Sequence, residues 1–244
     1  MKIGIVLTLI LVAFVNGAYC QDQGKDELLD AAIKEFQQSI EKNPGCAEAH
    51  YNLGIVYNEK GQIEDAIAEY KKTLEINPNL VKAYNNLGVI YYEAGRFDDA
   101  IESLGKAIAA SPQYGEAQYN LGIVYYGKKH YPDAIAAFKK TVELNPKLEQ
   151  GYYNLGVVYT AVDSLDESLA AFKKAVEINP QCSDAYYNMG VVYAKKEQLD
   201  EAVKSLLKAL EFNPSDDKSH FALGVVYQSK RKAKAPGGKP NKPQ

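Results

Sequence analysis

Asparagine and tyrosine side chains recur at a fixed spacing along this 244-residue chain, and both can hydrogen-bond to a peptide backbone. The asparagines are thirty-four residues apart, at Asn52, Asn86, Asn120, Asn154 and Asn188. Tyrosine precedes four of them, at Tyr51, Tyr119, Tyr153 and Tyr187. An amide offers both a donor and an acceptor, and tyrosine offers a large contact area at a small entropic cost. These rows therefore predict a surface that binds an extended peptide.

A purely structural role for the same rows is the alternative. Tyrosines and β-branched residues on neighbouring helices can pack together, and asparagines can hydrogen-bond to neighbouring groups. In that case the rows would only hold successive repeats together.

Residues that could catalyse a reaction are scarce and scattered. The three histidines are His50, His130 and His220, and no carboxylate pair, metal-ligand spacing, phosphate loop or activated nucleophile accompanies them. We predict no enzyme activity, no cofactor and no metal.

Cys46 and Cys182 fall on one register of the repeat, four repeats apart, so we expect no disulfide within the chain; an intermolecular disulfide is the alternative.

A helix-turn-helix unit is the element that would position the rows. The segment "YYNLGVVY" at residues 152–159 has five related copies, which start at His50, Tyr84, Gln118, Tyr186 and His220. Apolar residues after Ala47 fit a first helix, and Gly61 interrupts it. A second helix follows, and a proline ends each such helix at Pro44, Pro78, Pro112, Pro146, Pro180 and Pro214.

Small residues predict close packing of the two helices in each unit. A glycine lies inside every first helix, where it costs about 1 kcal/mol relative to alanine. The second helix places an alanine opposite, such as Ala66, and a bulky residue one turn later, such as Tyr70. One helix crossing, repeated along the chain, produces a superhelical stack.

These residues resemble the tetratricopeptide repeat family. The Leu-Gly pair, the tyrosine three residues later, the alanine and aromatic of the second helix and the closing "NP" match its signature over residues 28 to 228. The resemblance implies an all-α, right-handed superhelical solenoid with the asparagine and tyrosine rows on its concave side. The asparagine row is also similar to the peptide-binding row of the O-linked N-acetylglucosamine transferases, whose catalytic domain has no room here. Asp163 replaces the turn glycine and Ser168 replaces the alanine, which should weaken local packing.

The predicted segments are a signal peptide at 1–20, a half-repeat at 21–46, five complete units at 47–216, a capping helix at 217–232 and a basic disordered tail at 233–244. Lys2 precedes an uncharged run that is shorter than the roughly 20 residues needed to cross a bilayer, and small residues follow it. Cleavage is therefore expected. An uncleaved anchor and a lipid-modified Cys20 are the alternatives.

Charge is distributed unevenly, and this distribution limits the class of partner. The chain has 28 Lys and Arg against 31 Asp and Glu, but six of the basic residues lie after Ser229. The acidic body argues against nucleic acid as a partner, because nucleic acid binding depends on cations that neutralise phosphates. The basic tail could contact an anionic surface. Oligomeric state cannot be read from these patterns.

The sequence thus predicts an exported scaffold of the periplasm or cell envelope that binds a protein or an extended peptide segment. The alternative is a structural or self-assembling envelope module that uses its ends or its outer face.

Overall fold

The computed structural model describes residues 22–234, and the predicted signal peptide and residues 235–244 of the predicted tail lie outside this range. The described residues form twelve α-helices and no strand. The helices are α1 (Asp22–Lys42), α2 (Ala47–Glu59), α3 (Ile63–Ile76), α4 (Val81–Glu93), α5 (Phe97–Ala110), α6 (Gly115–Gly127), α7 (Tyr131–Leu144), α8 (Glu149–Ala161), α9 (Leu165–Ile178), α10 (Ser183–Lys195), α11 (Leu199–Phe212) and α12 (Asp217–Lys234). The all-α prediction is confirmed.

The chain divides into two compact units, an N-terminal unit that ends at Val124 and a C-terminal unit that begins at Tyr125. In the N-terminal unit, the consecutive pairs α1–α2, α2–α3, α3–α4 and α4–α5 pack together. In the C-terminal unit, the same holds from α7 to α12. Each unit is therefore built from the predicted helix pairs.

The turn inside each pair needs one residue with left-handed backbone conformation. Gly61 has φ 74°, its N–H donates to the carbonyl of Asn58, and the next N–H, of Gln62, reaches the carbonyl of Tyr57 at 2.8 Å. This is the Schellman arrangement that ends many helices. Equivalent turns place Lys129, Asp163 and Glu197 at φ of 61°, 59° and 60°. Three turns therefore adopt this conformation without glycine, and the sequence pattern had indicated only the one at Asp163.

The close helix approach predicted from the small residues is present. A Cβ added to Gly190 would lie 2.6 Å from Cγ of Leu206, and one added to Gly156 would lie 2.6 Å from the Phe172 ring. The alanines of the second helices are fully buried, as are the large residues one turn later. The small residue at each crossing therefore admits the bulky residue of the partner helix.

Ser168 is accommodated by hydrogen bonds instead of weakening the contact as expected. The serine is fully buried, and its hydroxyl donates to the carbonyl of Gly156 at 2.9 Å. Its Oγ also lies 2.7 Å from Oγ1 of Thr160. A buried hydroxyl with two partners avoids most of the penalty of burying a polar group.

Candidate functional site

In the N-terminal unit, the asparagine and tyrosine rows are joined by direct hydrogen bonds. Nδ2 of Asn86 on α4 lies 3.2 Å from the hydroxyl of Tyr51 on α2 and 3.4 Å from that of Tyr70 on α3. The rings of Tyr51 and Tyr70 pack with their centroids 5.9 Å apart. One amide thus connects three helices of two successive repeats.

Asn85 takes the tyrosine position in the next repeat, and it is almost fully buried, with 1% of its surface exposed. Its Oδ1 accepts a hydrogen bond of 2.9 Å from Nδ2 of Asn120, and its own Nδ2 donates to Oε1 of Glu116 at 3.2 Å. The hydroxyl of Tyr114 donates to the other oxygen of Glu116 at 2.6 Å. This chain of four side chains was not predicted from the sequence.

In the C-terminal unit, the same pairing recurs. Nδ2 of Asn188 on α10 lies 3.2 Å from the hydroxyl of Tyr153 on α8 and 2.9 Å from the backbone carbonyl of Asp184. The Tyr153 ring packs on that of Phe172, with centroids 5.8 Å apart. In both units the donor therefore lies thirty-five residues after its acceptor, which is one repeat plus one residue.

Burial raises the pKa of the tyrosine hydroxyls in these pairs. Desolvation is the largest cause for Tyr51 and for Tyr153, and nearby carboxylates raise both pKa values further. The hydrogen bond from the asparagine lowers each pKa, but by less. Both hydroxyls are therefore protonated at neutral pH, and each keeps a hydrogen that it can donate.

The other predicted residues occupy different environments. Asn52 is buried, with 8% of its surface exposed, so little of it can contact a partner. Tyr119 and Asn154 are half-buried, and each has a further interaction within the protein. Tyr187 is half-buried against the cluster of Ala202 and Leu206. The pairs Asn86–Tyr51 and Asn188–Tyr153 are thus the best-defined part of the predicted surface.

Two clefts lie on a different part of the repeat, and the sequence pattern did not predict them. One is lined by Tyr84, Leu87, Tyr91 and Ser103 in the N-terminal unit. The other is lined by the residues of the same register in the C-terminal unit, Tyr186, Met189, Tyr193 and Ser205. In both repeats leucine replaces the aromatic residue of the second helix, at Leu104 and Leu206, but neither leucine lines its cleft.

Both ring nitrogens of His50 have partners within the protein. Nδ1 of the buried His50 lies 2.6 Å from Oε2 of Glu69, and its Nε2 lies 3.2 Å from the carbonyl of Pro44. Cys46 and Cys182 are free thiols. Within residues 22–234, no group of three or more His, Cys, Asp or Glu is placed to hold a metal ion. The helices of the same region include none that is long and apolar enough to span a membrane.

Comparisons with known proteins decide the family. Matches described as TPR repeat cover residues 56–95 and 163–197, and matches described as tetratricopeptide repeat cover residues 35–68, 85–149 and 183–216. A solved structure of MamA is 36% identical, with 68% of this chain and 97% of MamA covered and a TM-score of 0.64. The chain belongs to the tetratricopeptide repeat family. It is an all-α solenoid of these units.

Other solved structures share this fold. YrrB, described as a TPR protein with an unusual peptide-binding site, is 29% identical, with 77% of this chain and 96% of YrrB covered and a TM-score of 0.65. PilF of Pseudomonas aeruginosa is 20% identical, with 85% and 99% covered and a TM-score of 0.66, and it supports the fold alone. A comparison with curated proteins gave no match.

Proposed function

We propose that this protein is an exported, non-catalytic scaffold that binds an extended protein segment along its asparagine and tyrosine rows. The observation that carries the proposal is the pairing of Asn86 with Tyr51 and of Asn188 with Tyr153. The amide hydrogens of each asparagine are used within the protein, and among the described residues no donor reaches the Oδ1 oxygens of Asn86 and Asn188. Each pair therefore keeps one hydroxyl donor and one carbonyl acceptor.

These groups match the chemistry of an extended backbone, which offers N–H and C=O groups alternately. Exposed carboxylates beside the rows, at Glu48, Glu116 and Asp184, favour an apolar or basic segment over an acidic one. YrrB, by its description a peptide-binding member of the family, supports a peptide as the partner.

The test is peptide binding by variants that delete only the hydroxyls. An array of extended peptides first identifies a binder, and isothermal titration then measures its affinity for the wild type, for Tyr51→Phe and for Tyr153→Phe. We expect each variant to lose about 0.5–1.5 kcal/mol of binding free energy, the usual net value of one neutral hydrogen bond. Tyr159→Phe, which changes a half-buried tyrosine outside the rows, is the matched control. Unchanged affinity in both row variants would mean that the rows are only architecture.

Export is tested separately, because it depends on residues 1–20, outside the described range. We expect the mature protein to begin near Gln21 in an extracytoplasmic fraction. Intact-mass measurement of the native protein decides the matter, and Met1 retained in cytosolic material would refute export.

A further inference from the structure

Helix α12 exposes apolar residues whose counterparts in the preceding repeat are partly buried. Phe221, Val225 and Tyr227 expose 76%, 46% and 49% of their surfaces. Their counterparts one repeat earlier, Tyr187, Val191 and Tyr193, are only half-exposed or less. At about 100° per residue, Phe221 and Tyr227 lie about 60° to either side of Gly224 around the helix, and exposed apolar residues in this arrangement favour a contact with another molecule.

Gly224 lies in the middle of this face. Its counterpart Gly190 packs against Leu206 so closely that an added Cβ would lie 2.6 Å from Cγ. A Cβ added to Gly224 would meet no atom within 4 Å. The glycine therefore leaves space for the close approach of another helix, and no described helix fills that space.

The side of α12 that does pack is the opposite one. Ser219 and Val226 are buried, and Val226 joins the cluster of Ala202 and Leu206 on α11. Lys230 is on this side as well, and its ammonium group pairs with Asp200 of α11. Successive residues turn about 100° around a helix, so Asp217, Phe221, Gly224 and Arg231 form one stripe on the free side.

This stripe is complementary to itself in the antiparallel direction. With Gly224 at the centre, residues equally far before and after it meet when two α12 helices pack antiparallel. Phe221 then lies opposite Tyr227, and exposed Asp217 lies opposite exposed Arg231. Each contact occurs twice because the arrangement has two-fold symmetry, which is the commonest symmetry of protein dimers.

We propose that two copies of this chain form an antiparallel dimer through their α12 helices, with Gly224 at the crossing point. The chain's own residues 235–244, "APGGKPNKPQ", contain no large apolar side chain. A second copy supplies both the apolar surface and the opposite charge at each end. The proposal does not depend on peptide binding by the asparagine and tyrosine rows.

The apolar contact is tested by sedimentation equilibrium of the full chain over a range of concentrations. We expect Gly224→Leu to weaken dimerisation by about tenfold or more, because the added side chain keeps the helices apart. Gly105→Leu is the matched control, since Gly105 is also exposed, helical and without atoms within 4 Å of an added Cβ. It should dimerise like the wild type. A monomeric wild type would overturn the proposal, and so would equal dimerisation by all three proteins.

Charge exchange tests the antiparallel register. Asp217→Arg alone and Arg231→Asp alone each place like charges opposite one another twice, so each should weaken self-association by about three- to tenfold. The double variant should recover the self-association of the wild type, because residues 217 and 231 again carry opposite charges. A mixture of the two single variants should form a heterodimer for the same reason. Binding of α12 to a different part of another copy, such as α1, would give an open series of larger assemblies and no recovery. That result would overturn the proposal.

Discussion

Alanine in place of Gly156 should destabilise the protein relative to alanine in place of Gly105, although both substitutions add the same methyl group to a helix. At Gly156 the new Cβ would lie 2.6 Å from Cδ1 and Cε1 of Phe172 and 2.8 Å from Cζ. At Gly105 no atom lies within 4 Å. Carbon atoms normally approach to about 3.5–4.0 Å, so the Phe172 ring must move by about 1 Å.

The ring has little freedom to make that movement. Phe172 is fully buried and packs on Tyr153 with a centroid distance of 5.8 Å. Overpacking of this kind costs about 1–3 kcal/mol. Both variants gain about 1 kcal/mol from replacing a helical glycine with alanine, and this gain cancels in the comparison. We therefore expect Gly156→Ala to be less stable than Gly105→Ala by about 1–3 kcal/mol.

Urea unfolding followed by far-UV circular dichroism measures the difference. A second comparison isolates its cause: in a Phe172→Ala background the ring is absent, so adding Gly156→Ala should stabilise as much as Gly105→Ala does. The explanation from close packing is wrong if the two single variants differ by less than about 0.5 kcal/mol, or if the difference persists without the ring.

Three further predictions concern single residues. Gly95→Ala should destabilise the protein by about 1 kcal/mol because Gly95 has φ 73°. Lys129→Gly, at φ 61°, should be neutral or stabilising; both are measured by urea unfolding. Burial and a hydrogen bond to Glu149 raise the pKa of Cys182 to about 11. At pH 8, iodoacetamide should therefore alkylate Cys182 about 100-fold more slowly than an unperturbed thiol. Mass spectrometry of the modified peptide measures this rate. Hydrogen bonds from Ser219 lower the pKa of Asp216, so the carboxylate stabilises the folded protein at neutral pH, and this stabilisation is lost as the pH falls through the lowered pKa. Asp216→Ala should therefore cost about 1 kcal/mol of stability at pH 7 and almost nothing in strong acid. Thermal melts at both pH values measure the difference.

The arrangement of helices could be predicted from the sequence because each signal is local. Proline at Pro78 cannot continue a helix, and α3 ends at Ile76, two residues before it. Gly61 permits the left-handed turn after α2. The period then repeats these local signals along the chain. The turns at Lys129 and Glu197 were missed because nothing in those residue types indicates positive φ; the backbone hydrogen bonds of the turn impose it.

The side-chain contacts between repeats could not be predicted in the same way. Asparagine and tyrosine were both identified, but the sequence does not give the relative tilt of α2 and α4, which decides whether Asn86 reaches Tyr51. The pairing of Asn86 with Tyr51, thirty-five residues earlier, can be recognised only once that tilt is known. Asn52 was grouped with the other asparagines by its register, yet it is buried. The register of a residue gives the side of the helix on which it lies. Its solvent exposure depends on how closely the neighbouring helices pack around it.

A structural role and a binding role for the rows are compatible in this protein. The bonds from Asn86 to Tyr51 and from Asn188 to Tyr153 connect successive repeats, and they also hold both side chains in one orientation. A side chain that is already ordered loses less conformational entropy when it binds a partner, and such a loss costs about 0.5–1.5 kcal/mol for each mobile side chain. If the rows bind a partner as proposed, the bonds that stabilise the stack also prepare the remaining hydroxyl hydrogen and carbonyl oxygen for it. It follows that stability and affinity should fall together when an asparagine of a pair is replaced. Replacing Tyr51 or Tyr153 with phenylalanine removes the same bond but retains the ring and its packing, so it changes less of the structure.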